Sequence, residues 1–107
     1  MTNEISLNIL AVGYHQEIMQ VLKRLMNNHA GWKGTIALSM PEALDMLHTQ
    51  QFDALLLCAG VSDEDEQALQ HVLTTKQADT KLIRHYGGGS GLLENEIRTA
   101  FENYESK

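Results

Sequence analysis

A chain of 107 residues, 43% apolar and 21% charged, has the make-up of one soluble globular domain, large enough for a hydrophobic core and too short for a second. Its formal net charge of -6 works against nucleic acid and anionic membrane surfaces, both of which are recognised through lysine and arginine. The single cysteine excludes an internal disulfide and fits a reducing compartment, so a cytoplasmic location is expected. The longest apolar stretch, Ala54 to Val61, falls far below the ~20 residues that cross a bilayer. Glu4, with no basic residue ahead of a short apolar run, is the wrong layout for a secretory signal.

In chain order, Leu7 to Val12 is a short apolar run closed by Gly13 and reads as a strand. From Glu17 to His29, Ile18, Val21, Leu22, Leu25 and Met26 recur at spacings of three and four, which predicts an amphipathic helix. Trp32, Ile36 and Leu38 alternate as a second strand, which Gly34 weakens, and Trp32 is expected to be core or half-buried. Ser39 followed by Glu42 offers a capping box, with Pro41 in the first turn of a helix running to about His48.

Phe52 to Cys58 reads as a strand buried on both faces. The acids Asp63, Glu64, Asp65 and Glu66 then precede Ala68, Leu69, Val72 and Leu73 at helical spacing, as a solvated helix start favoured by the helix dipole. Lys81 to Tyr86 is a fourth strand whose mixed charge suits a sheet edge. Gly87 to Gly91 turns the chain into a last helix carrying Leu92, Leu93, Ile97, Ala100, Phe101 and Tyr104.

Four strands alternating with four helices predict an α/β fold, a flavodoxin-like three-layer α/β/α sandwich over residues 1–107. Its parallel sheet should have the order 2-1-3-4, with the first and last helices on one face. The runs Ile9 to Tyr14, Ala37 to Leu44 and Phe52 to Cys58 resemble the receiver domains of bacterial two-component response regulators. That resemblance implies an acidic pair after the first strand, a phospho-accepting aspartate after the third and a threonine or serine after the fourth. Here Gly13, Tyr14, Cys58 and Tyr86 stand in those places, a degenerate phosphoacceptor pocket. The family's fifth strand, with its lysine, and the helix before it have no counterpart.

The expected function is therefore that of a receiver-like regulatory module that cannot be phosphorylated and acts through protein contact. No cofactor is implied, and no metal, because a hard cation needs oxygen ligands that this pocket lacks. The uncovered edge of the fourth strand invites pairing, so a homodimer is expected, with Arg84, His85 and Tyr86 near the boundary. Gly87, Gly88, Gly89 and Ser90 are a weak candidate for an anion-binding loop, lacking the lysine of a phosphate-binding loop. Cys58 with His15 could form a nucleophile and base, but a lone cysteine ending a buried strand is ordinarily a packing residue, and His15 ordinarily a helix-start residue. No catalytic constellation can be assembled, so the chain is not expected to be an enzyme. The alternative is a flavodoxin-like cofactor binder of the cobalamin-binding type, for which His15, Cys58 and Gly87-Gly88 stand at roughly similar places. Against it, Gly13 and Ile18 replace that family's flanking aspartate and glycine, and its serine is absent.

Overall fold

The computed structural model describes residues 7–29, 31–58, 60–85 and 95–100. The elements are β1 (Leu7–Val12), α1 (Gln16–Asn28), β2 (Trp32–Ala37), α2 (Met40–Thr49), β3 (Ala54–Leu57), α3 (Asp63–Lys76) and β4 (Lys81–Arg84). Helical residues 95–100, called α4 here, follow. The strands form one parallel sheet in the order β2-β1-β3-β4, as the alternation predicts.

Strand periodicity separates two cores. Ile9, Ala11, Ala54, Leu56 and Cys58 face α1 and Ile97 of α4, together with Met19, Leu22 and Met26. The alternate residues Leu10, Val12, Leu55 and Leu57 face α2 and α3, meeting Ala43, Leu47, Leu69 and Leu73. A strand covered on both sides has no place for a polar side chain, which is why β3 is a continuous apolar run. The first and last helices therefore do share a face.

Helix starts follow side-chain chemistry. The Ser39 hydroxyl accepts from the Glu42 N-H at 3.3 Å, and a Glu42 carboxylate oxygen accepts from the Leu38 N-H at 2.8 Å. The reciprocal contact of this capping box thus reaches one residue further back than the usual form. Pro41 lies in the first turn, where it removes no helical hydrogen bond. His15 caps α1, its Nδ1 accepting from the Ile18 N-H at 3.3 Å, so it takes the helix-start role.

Gly34 has a reason that strand propensity does not capture. A Cβ there would lie 2.6 Å from Met26 Cβ, so α1 can lie this close to β2 only over a glycine. Asn27 then uses the same approach: its side-chain amide donates to the Gly34 carbonyl and accepts from the Gly34 N-H, both at 3.0 Å. Trp32, half-buried, stacks on His29 with ring centroids 3.8 Å apart.

At the opposite end of the sheet, buried Gln77 joins three elements. Its Nε2 donates to the carbonyls of Leu47 at 2.7 Å and Gln50 at 2.6 Å. Its Oε1 accepts from the Phe52 N-H and the Thr80 hydroxyl, each at 2.9 Å. No helix among the described residues is long and apolar enough to cross a membrane.

Candidate functional site

In an open parallel sheet, ligands reach the carboxyl ends of the strands where the strand order reverses. For this sheet that point lies between β1 and β3, and the loops after both strands meet there. Cys58 follows β3 directly, its N-H donating to the Val12 carbonyl at 2.9 Å. The side chain is only 2% exposed. Burial, helped by the nearby Glu96 carboxylate, pushes the thiol up to about 12, so it stays protonated near neutrality.

Gly13 contributes no side chain, and the space that one would need is taken. A Cβ at Gly13 would lie 2.5 Å from Met19 Sδ and 3.0 Å from Cys58 Cβ. The rim of the sheet is thus packed by a thioether and a thiol. A divalent cation such as magnesium requires oxygen ligands, and these groups do not fit one. No group of three or more histidine, cysteine, aspartate or glutamate side chains converges as metal ligands among the described residues.

Tyr14 leaves the rim and crosses to α3. Its hydroxyl donates to Asp65 Oδ2 at 2.6 Å, and the ring lies beside Gly60, whose φ of +96° suits a glycine. Desolvation, then the hydrogen bond and the negative charge of Asp65, raise the phenol to about 12. Asp65 also serves the helix start, since its N-H donates to the Ser62 hydroxyl at 3.1 Å.

Arg84, at the end of β4, reaches across the same loop. Its guanidinium pairs with Glu66, lies 3.9 Å from Asp63 and donates to the Val61 carbonyl at 3.4 Å. The acidic start of α3 is therefore more than a solvated face: Asp65 holds Tyr14 and Glu66 holds Arg84. His85, 8% exposed, sits one step beyond the last paired residues of β3 and β4, its N-H donating to the Leu57 carbonyl at 2.8 Å. Its Nδ1 lies 2.6 Å from a carboxylate oxygen of Glu96 on α4.

Of the residues singled out from sequence, the structure brings Gly13 and Cys58 into contact and sets Tyr14 beside them, facing α3. It does not join His15 to Cys58, because His15 is exposed at its cap. Among the interface candidates, Arg84 is half-buried in its ion pairs and His85 is buried against Glu96. Tyr86, Gly87, Gly88, Gly89 and Ser90 lie outside the described residues. Met19, Asp65, Glu66 and Glu96 were not singled out as partners of these groups. Only Met19 left a trace in the sequence, its place on the buried side of a helix.

No protein-family model matches the sequence, and no curated protein does. Solved structures do match. The signal receiver domain of an HD domain-containing protein from Pseudomonas fluorescens Pf-5 superimposes with a TM-score of 0.76 at 18% identity, covering 95% of this chain and 99% of that one. A response regulator from Thermotoga maritima gives 0.64 at 14% identity, covering 90% of this chain and 80% of its own. The receiver domain of the Francisella response regulator 1452 gives 0.63 at 18% identity, covering 89% and 78%. About a fifth of the last two chains therefore has no counterpart here. With its strand order, its two-sided parallel sheet and these neighbours together, the chain has the flavodoxin-like fold of response-regulator receiver domains.

Proposed function

We propose that this chain is a receiver-like regulatory module that signals through protein contact without accepting a phosphoryl group. The observation that carries the reading is the occupied rim: Met19 and Cys58 fill the space over Gly13, and the residue after β3 is a buried, protonated thiol. Phosphoryl transfer to an aspartate needs a carboxylate nucleophile and cations that neutralise the transferring oxygens. A thiol held near 12 supplies neither role at neutral pH.

The proposed role lies outside catalysis, as a cytoplasmic binding module that associates with protein, including its own copy. The cofactor-binding alternative would need His15 and Cys58 at a common cavity. One is exposed as a helix cap and the other is sealed in the core, which favours the contact reading.

The test is incubation of the purified chain with acetyl phosphate and magnesium, followed by intact-mass measurement. No phosphoryl adduct is expected. An adduct that persists in Cys58→Ala would refute the reading, since it would place an acceptor on another residue.

A further inference from the structure

The large apolar side chains that stand exposed among the described residues are Tyr14 at 39%, Ile18 at 50% and Val21 at 50%. Ile18 and Val21 lie three positions apart on one side of α1, whereas Tyr14 precedes the helix and its hydroxyl is held by Asp65 of α3. With half-buried Leu25, which also packs against the core, Ile18 and Val21 follow spacings of three and four along α1, the seam spacing of packed helix pairs. The fold of the single chain leaves Ile18 and Val21 of this line outside its core. Met19, Leu22 and Met26 face the sheet, and Asn27, on another flank, is engaged by Gly34.

We propose that this stripe is the seam of a two-fold symmetric contact with a second copy of the chain, the two α1 helices running antiparallel. The inference rests on the contact-module reading and names its surface. Charge identifies the occupant. Glu17 and Arg24 flank the seam on the same side, seven residues apart and both exposed. Neither has an ion-pair partner among the described residues. In an antiparallel pair these flanks face one another, so Glu17 of one copy meets Arg24 of the other, and the symmetry repeats the contact.

The rest of the helical surface points to the same face. α1 carries Glu17 against Lys23 and Arg24, whereas α2 carries Glu42 and Asp45, and α3 opens on four acids. In a chain of net charge -6, α1 brings two copies together with less repulsion than α2 or α3 would. Its 13 residues span only about 20 Å. A single seam of that length makes a weak dimer, with Kd on the order of 10 μM.

Sedimentation equilibrium of the full chain, from low micromolar to millimolar concentration, tests the contact. Ile18→Asp should abolish association while the circular dichroism spectrum and melting curve stay unchanged, because the side chain is half in water and an acid suits the first helical turn. Glu17→Arg or Arg24→Glu alone sets like charges opposite each other and should weaken the dimer about tenfold. The double variant E17R/R24E should return to within about threefold of the native affinity, a recovery that a general effect on folding would not produce. A dimer that survives Ile18→Asp, or a double variant no better than its parents, overturns the seam and leaves the contact-module reading to another surface. A native chain that stays monomeric at millimolar concentration also overturns it, and assigns the stripe to a different protein. Phosphoryl uptake bears on the underlying reading alone.

Discussion

The Tyr14 hydroxyl and the Asp65 carboxylate, 51 positions apart in sequence, are joined by a 2.6 Å hydrogen bond that ties the loop after β1 to the first turn of α3. In a receiver that loop would hold acids. Here an aromatic side chain spans it and makes the rim a structural joint.

Tyr14→Phe removes the joint and keeps the ring. Its expected cost is about 1 kcal/mol in denaturant unfolding, the ordinary worth of one hydrogen bond. The same variant should lose the phenolate absorbance that the native protein develops at about pH 12 in an alkaline titration. The folded chain holds this proton more tightly than the unfolded chain, whose value is 10.0. The resulting contribution to stability is complete below pH 10 and is lost as pH climbs through about 12.

Cys58 should resist thiol reagents in the native protein at pH 8 and react at once in denaturant. Its proton is also held more tightly on folding, so this contribution is complete below pH 9 and is lost as pH rises through about 12. Glu96→Gln should bring the thiol ionisation down somewhat, because burial, the larger cause, remains. Cys58→Asp, the change that would mimic an acceptor, should destabilise the chain by roughly 3–5 kcal/mol through an unpaired buried charge. Chemical denaturation measures that loss, and an unchanged midpoint would refute the account of the rim.

Gly34→Ala should lower stability by about 1–3 kcal/mol, because the new methyl group would meet Met26 and overpack the gap between α1 and β2. Combining it with Met26→Ala should cost less than the two separate losses together, a non-additivity that a double-mutant cycle on thermal melting reads directly.

Gln77→Leu keeps the bulk of the side chain and removes its hydrogen bonds to Leu47, Gln50, Phe52 and Thr80. Buried backbone groups left without partners cost about 1–3 kcal/mol each, so a loss of at least 3 kcal/mol is expected. A melting temperature within a degree or two of the native one would show that water replaces the amide.

Much of this was legible before any coordinates. Strand runs and the three-and-four spacing of Leu22, Leu25 and Met26 fix elements because burial of alternate or helical faces is a local pattern. Cys58 reads as buried for the same reason. Ile18 and Val21, read into the same apolar face of α1, instead stand 50% exposed, while Met19 takes the buried place. Long-range pairing is less visible. A run of acids at a helix start looks solvated, and nothing in its order says that Asp65 meets Tyr14 or that Glu66 meets Arg84. Gly34 misled in the other direction: propensity counts it against a strand, whereas the close approach of Met26 requires it. The histidine opposite Cys58 along the sheet is His85, which strand register determines and sequence proximity to a loop does not.

The Asn27 amide occupies both peptide groups that Gly34 turns outward on β2. A foreign ribbon aligning along that margin finds its midpoint already engaged, so the sheet cannot be prolonged from the β2 side without first evicting Asn27. The fold is thereby guarded against open-ended stacking at one border, and any assembly it enters through this region is steered toward finite, helix-built contacts.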